Sequence, residues 1–325
     1  MKTDLKASFL TTVSVAVLVA FGPVARASDL PAQAVEPIVY AGSPNWTIYG
    51  EVGAFFTSGD RIYQGFPFND VVSPIPNLRA EGAVGIDYRL PDSMWHFSID
   101  LRYGVASQSD QHGAIDEAFV PVPVITAGGL GTATDPTGIW AGTAKVVESH
   151  VVADFMVGRD LGIGSDTQIK LGLRIAELRS KTTGPGIAFA GTSLTSVTST
   201  DTTELKSRFF GLGPRIALTG NMPLAGAWGF DYSAGAAYLF AKDQSAKFLT
   251  TDDGMIERED NQSVVNIDGS LAVAYNFSQD AKLSIGYRAD AYFDALPGLN
   301  FSKVAGESSS TRVYHGAFLR LTYRF

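Results

Sequence analysis

The sequence predicts an all-β chain, a transmembrane antiparallel up-and-down β-barrel of about ten strands. Three observations carry that expectation. Ten segments alternate apolar and polar side chains, their charges fall on one face, and the connectors between them alternate short and long. Composition points the same way. Only 18% of the 325 residues are charged and 45% are hydrophobic, against roughly 25% charged in an ordinary soluble domain. The 34 glycines and 11% aromatics favour strands and turns over helices. A formal charge of −8 argues against a nucleic-acid partner. The absence of cysteine removes disulfides, thiolate metal sites, a cysteine nucleophile and a lipoprotein anchor.

Residues 1–27 read as an export signal. Lys2 and Lys6 precede the apolar stretch Phe9 to Phe21, and Ala25-Arg26-Ala27 supplies small residues for cleavage before Ser28. That stretch is too short to span about 30 Å of hydrocarbon as a helix. Residues 28–45, with Pro31, Pro37 and Pro44, read as an irregular periplasmic leader. Residues 46–325 are the expected barrel.

The ten segments follow in order. Trp46–Phe56 sets Glu51 opposite Ile48 and Val52, and Leu78–Leu90 sets Arg79, Glu81, Asp87 and Arg89 opposite Val84 and Ile86. Trp95–Val105 shows the pattern most plainly. Trp95, Phe97, Ile99, Leu101, Tyr103 and Val105 share one face, while His96, Ser98, Asp100, Arg102 and Gly104 share the other. Val147–Val157 carries Glu148 and Asp154; Ile169–Ile175 carries Lys170 and Arg174; Phe210–Leu218 carries Arg215. Trp228–Phe240 contributes Asp231, Val265–Tyr275 Asp268, Leu283–Phe293 Arg288 and Asp290, and Val313–Phe325 Arg320 and Arg324. The fifth and sixth segments are the weakest, and a count of eight or twelve strands would turn on them.

Every one of these charges lies opposite the large apolar side chains, and acids and bases are equal in number. A confined lumen needs that balance, because unpaired charge in a narrow space is costly. Glu177 and Arg179, just past the fifth segment, have the opposite parity and are expected above the membrane or beside a bulge.

Connectors supply orientation. The short ones hold Pro91-Asp92-Ser93, Arg159 to Asp166, Gly220 to Gly226 and Ser278-Gln279-Asp280; the long ones cover about 57–77, 106–146, 176–209, 241–264 and 294–312. Short periplasmic turns and long extracellular loops are the barrel arrangement. Outward-parity aromatics gather at both ends, with Trp46, Tyr88, Trp95, Trp228, Tyr275, Tyr323 and Phe325 below and Phe56, Tyr103, Phe210, Tyr238, Phe240 and Phe293 above. Two such girdles match two membrane interfaces. Leu321, Tyr323 and the terminal Phe325 share one face and resemble the signal by which outer-membrane proteins reach the barrel-assembly machinery.

The motifs Phe210-Gly211-Leu212-Gly213-Pro214-Arg215, Leu283-Ser284-Ile285-Gly286-Tyr287-Arg288-Ala289 and Leu171-Gly172-Leu173-Arg174 resemble the Legionella-type pore-forming outer-membrane protein family, the major-outer-membrane-protein-like group. The resemblance runs across most of Trp46 to Phe325. It implies a pore-forming barrel in the outer membrane of a Gram-negative bacterium.

The expected function is passive passage of ions or small solutes. Asp100, Arg102, Arg174, Arg215, Asp268, Arg288, Asp290 and Arg320 are the candidate pore-lining residues. The inward glycines Gly53, Gly85, Gly104, Gly172, Gly211, Gly213, Gly235 and Gly286 favour open space or ease curvature. The opposing reading is that paired charges plug a ten-stranded lumen. An omptin-like protease would need Asp110 and His112 of the second long loop to meet Asp252 and Asp253 of the fourth, and no sequence feature brings them together. A structural or adhesin barrel would act through loops such as Phe119 to Ile125 and Gly184 to Thr203. No catalytic residue, metal ligand set or cofactor is expected. The expected partners are outer-membrane lipid, lipopolysaccharide and the assembly machinery.

Overall fold

Alternating side chains give each segment one face suited to lipid and one suited to a lumen, and the computed structural model closes these segments into a barrel. It describes residues 46–59, 63–65, 70–72, 75–112, 122–126, 129–133, 142–162, 166–187, 200–250, 255–300 and 309–325. The export signal and leader lie outside them. The barrel strands are β1 Trp46–Gly59, β2 Leu78–Arg89, β3 Trp95–His112, β4 Gly142–Asp160, β5 Gln168–Ile187, β6 Thr200–Pro223, β7 Trp228–Thr250, β8 Val264–Asn276, β9 Ala281–Pro297 and β10 Ser309–Arg324.

Each strand pairs antiparallel with its chain neighbours, and β10 pairs with β1 to close the ring. Reciprocal backbone bonds seal the seam: Trp46 N to Phe325 O at 3.0 Å and Phe325 N to Trp46 O at 2.9 Å. The periplasmic turn after β2 places Asp92 at φ 54°, a left-handed conformation that Asp tolerates. The turn after β6 uses Gly226 at φ 62°. Shorter strands decorate the extracellular side. Met255–Asp260 pairs with the upper part of β7, Val122–Thr126 pairs with Gly129–Ala133, and Tyr63–Gly65 lies between Asp70–Val72 and Leu299–Asn300.

All ten expected segments are strands, but β5, β6 and β7 run far past them into the expected loops 176–209 and 241–264. A tilted strand crosses a bilayer in about 9–11 residues, and these three have 20, 24 and 23 residues. The reason the extension was not legible is a reversal of polarity. Within the membrane the outer face carries Leu171, Leu173, Ile175 and Ile216, and the inner face carries Lys170, Arg174 and Arg215. Above it the outer face carries Glu177, Arg179, Lys206 and Arg208, while Leu178, Leu205 and Phe209 are buried inside. A scan for apolar-out alternation stops at that crossing. Glu177 and Arg179 therefore lie on an uninterrupted strand above the membrane.

A bulge at Phe210/Gly211, where Gly211 pairs with Ala241 and Phe210 with Asp243, brings Asp243 onto the outer face. A second irregularity lies between Tyr292 and Leu296, with Asp294 at φ 55°. Asp110 and His112, expected in a loop, are strand residues at the end of β3.

Leu173 faces lipid and is half exposed. Replacing it with Arg should lower stability by about 2–4 kcal/mol, since a charge at mid-membrane on the lipid face has no partner. Denaturant unfolding of the barrel in lipid vesicles would check this; an unchanged midpoint would mean that Leu173 does not face lipid.

Candidate functional site

Inward parity sends the charged side chains of all ten strands into one confined space, and they meet there in three tiers. At the periplasmic end, His96 of β3 bridges Asp87 of β2 at 2.8 Å and Asp160 of β4 at 3.1 Å. Lys170 donates to Asp87 at 2.9 Å and to Ser98 at 3.2 Å. On the opposite wall, Asp231 accepts from Asn221, Lys282 and Ser284 at 2.6–2.9 Å. A recess at this mouth, lined by Asp166, Asn221, Pro223, Asn276, Lys282 and Arg324 among others, has a volume of ≈ 380 Å³.

The middle tier crosses the lumen. Arg174 of β5 forms a two-pronged pair with Asp154 at 2.6 and 2.7 Å, and donates to Asp268 of β8 at 2.9 Å and to Asn266. Arg215 of β6 makes a second two-pronged pair with Asp268, at 2.5 and 2.9 Å. Asn266 and Arg102 both donate to Asp290 of β9, at 2.6 and 2.7 Å. Arg288 is held by Glu51 of β1 and Glu81 of β2, and Arg320 donates to Glu51 at 2.7 and 2.9 Å. Tyr49 donates to Asp100 at 2.6 Å beneath the Arg320 guanidinium.

The upper tier has two halves. On the side of β2, β4 and β10, Arg312 pairs with Glu148 at 3.0 Å, Arg79 donates to His150, and His150 stacks on Tyr314 at 4.7 Å. On the side of β5 to β9 the filling is apolar: Leu178, Leu205, Phe209, Leu239, Ala246, Val264, Tyr292 and Leu296 form one buried cluster that also contacts Tyr314. The lumen is filled through these two tiers. Arg174 and Arg312 are completely buried, Asp290 is 3% exposed and Arg288 is 4% exposed.

All eight candidate lining residues have inward parity, and each meets another lumen side chain: Arg102, Arg174, Arg215, Asp268 and Asp290 one another, and Asp100, Arg288 and Arg320 the side chains of Tyr49, Glu51 and Glu81. Arg320 keeps some solvent access, at 26%. The inward glycines do not leave empty space. A Cβ at Gly85 would strike Tyr49, one at Gly104 would strike His150, and one at Gly235 would lie 2.7 Å from Arg215 Nη2. They make room for large neighbours, the large-against-small fit of a packed interior.

Several members of the tiers were not singled out from sequence. Glu51, Glu81 and Asp154 were visible as inward charges without assigned partners. Asn266, Tyr292, Tyr314 and Arg312 share the parity of Asp268, Asp290 and Arg320, and parity alone could have added them. Asp110 and His112 lie two residues apart on β3, so their backbone places them on one face. Asp252 and Asp253 lie outside the described residues. Among the described residues no group of three or more His, Asp or Glu is placed to hold a metal ion.

A family model for the Legionella pneumophila major outer membrane protein precursor matches residues 130–325. No curated protein sequence matches the chain. Similar solved structures include the outer membrane protease OmpT from Escherichia coli, at 14% identity over 86% of this chain and 97% of that one, with a TM-score of 0.49. A major outer membrane protein from Thermus thermophilus has 12% identity over 86% and 99% of the two chains, with a TM-score of 0.35. The toluene transporter TbuX from Ralstonia pickettii has 10% identity over 87% and 90%, with a TM-score of 0.31.

Asp268 serves two buried arginines at once. Its replacement by Ala should cost about 3–5 kcal/mol, because Arg215 loses its two-pronged partner and both cations stay buried. Asp231→Ala, at the wetter periplasmic tier, should cost less. Comparing the two unfolding midpoints in one detergent checks the ranking.

Proposed function

The chain belongs to the Legionella major outer membrane protein family, and from that premise we propose that this outer-membrane barrel is a narrow, gated pore for small ions, closed at rest by its own lumen. The observation that carries the reading is the buried ionic tier. A barrel that needs only to be filled is filled at less cost by apolar side chains, since well-packed hydrophobic residues replace buried ion pairs with little loss or a gain. The upper half of β5 to β9 is filled that way. The middle of the same lumen instead keeps Glu51, Glu81, Asp154, Asp268 and Asp290 against five arginines. That is a polar route beneath a tier that is apolar on the side of β5 to β9, and apolar lining gates by excluding water.

The pairings also permit movement. Arg288 lies between Glu51 and Glu81, Arg102 between Glu81 and Asp290, and Arg215 between Asp268 and Asp154. Arg288 and Arg215 can transfer weight from one carboxylate to the other without leaving a charge unpaired, because Arg320, Arg102 and Arg174 hold the carboxylate that is left. The network is loosest around Glu81 and Glu148. Arg102 Nε and His150 Nε2 make no hydrogen bond and lie 3.6 and 3.5 Å from Glu81, and Arg79 Nη2 lies 3.7 Å from Glu148.

The reading gives the chain no enzymatic step and no cofactor. It assigns Leu321 and Tyr323 on the lipid face of β10, with the exposed Phe325 that follows them, to delivery by the assembly machinery. A second reading, a permanently closed structural or adhesin barrel acting through its loops, is favoured by the apolar cluster and the tall wall of β5 to β7.

Single-channel recording of the folded barrel in a planar bilayer separates the two. The gated pore should give small, infrequent, discrete steps. Arg288→Gln should raise opening frequency and shift selectivity toward cations, Asp290→Asn should shift it toward anions, and His112→Ala should change neither. Silence from the parent and both lumen variants, with folding verified, would leave the structural barrel.

A further inference from the structure

The upper end of β9 leaves the wall of the barrel. Its pairing with β8 ends at Val265 opposite Phe293, and its pairing with β10 breaks after Tyr292 and resumes at Leu296 opposite Ser310. Phe293, Asp294 and Ala295 thus stand against the single residue Thr311, a bulge of the kind that bends a strand. Asp294 adopts the left-handed conformation there, at φ 55°, and its N–H donates to Thr311 Oγ1 at 3.3 Å.

Beyond the bulge the chain lies across the inner face of β6 and β7. In the ring, β6 and β9 are separated by β7 and β8, yet Ser207 of β6 donates to Pro297 O at 2.8 Å. Ala295 and Leu296 are buried in the same apolar cluster as Leu205 of β6 and Ala246 of β7. Leu299–Asn300 then pairs with Tyr63–Gly65 of the connector between β1 and β2. A segment that reaches β6 on one side and that connector on the other covers the mouth between them.

One side chain does most of the fastening. β7 pairs with β8 only as far as Leu239 opposite Val264, and with Met255–Asp260 only from Gln244 upward. Gln244 stands at the edge of that gap, 1% exposed, and its amide takes the place of ladder bonds. Its Nε2 donates to Asp294 O at 3.3 Å and to Ala295 O at 3.2 Å, and its Oε1 accepts from Gln262 N at 3.0 Å.

We propose that residues 294–297 form a hinged flap over the lumen, with the bulge as its hinge and Gln244 as its latch. Its purpose rests on the pore reading: swinging it outward withdraws Ala295 and Leu296 from the apolar filling above the charged middle tier. The hinge permits the swing, because the backbone there is already free of β8 and interrupted against β10. A ladder resists opening along its whole length, whereas one amide and one hydroxyl hold the flap to β6 and β7, and water replaces both at an open mouth.

The chain has no cysteine, so Ala295→Cys supplies a single thiol that reports the flap. Its labelling by a water-soluble thiol reagent, on the folded barrel in detergent micelles, follows the open population. Labelling should be far slower than in the same chain unfolded in urea. Adding Gln244→Ala should speed it about tenfold, because the hydrogen bonds of the latch are lost, and adding Ser207→Ala about threefold. Both should keep the circular dichroism spectrum of the folded barrel, and in planar bilayers both should raise the opening frequency. If Gln244→Ala fails to fold, Ser207→Ala, which removes only a hydroxyl, decides the matter. Labelling as fast as in the unfolded chain, or a rate that no folded variant changes, would overturn the flap. Faster labelling without current in any variant would keep the flap and remove the pore; discrete currents with unchanged labelling would keep the pore and remove the flap.

Discussion

A charge pointing into a barrel of ten strands has little water to meet, so it must meet another charge. The rest of the lumen follows from that constraint. Arg174 reaches from β5 to Asp268 of β8, Arg102 from β3 to Asp290 of β9, and Arg312 from β10 to Glu148 of β4. These pairs span the ring and do not run along neighbouring strands, so they tie opposite walls together. An interior ion pair costs desolvation that only good geometry returns. The two-pronged contacts of Arg174 and Arg215 supply that geometry, and Asn266 uses both ends of its amide to join Arg174 to Asp290. The equal numbers of inward acids and bases are a consequence of the same requirement.

The parity of side chains along a strand is a local property, and it was legible. It separated the lipid face from the lumen face in every segment and located the candidate lining residues without any contact information. What parity does not contain is the distance across the ring. Whether Arg288 faced a water column or two glutamates depended on where Glu51 and Glu81 stood, more than 200 positions away in the chain. The glycines show the same limit. Gly85 and Gly235 are small inward residues in sequence, and only the neighbouring strands show that Tyr49 and Arg215 fill the space above them.

The upper barrel was hidden for a different reason. Above the membrane, water replaces lipid outside and the preferred polarity of each face reverses. Leu178 keeps the inward parity of Arg174, and Arg179 keeps the outward parity of Leu173. The strand is continuous while its chemical signal changes sign. Segments that end where alternation changes sense mark the edge of the membrane and not the end of the strand. Phe210 sits at that crossing, next to the bulge that turns Asp243 outward.

That reversal links the two ends of the functional argument. Inside, it replaces the ionic tier with Leu178, Leu205, Phe209 and Leu239, an apolar layer that fills the β5 to β9 side of the lumen above those charges. Outside, it places Arg179, Lys181, Lys206 and Arg208 above the apolar band, paired with Glu177 and Glu204. One set of strands therefore carries the apolar layer on its inner face and a surface of paired charges on its outer face. Residues such as Leu178 and Arg179, adjacent in sequence and opposite in direction, belong to both.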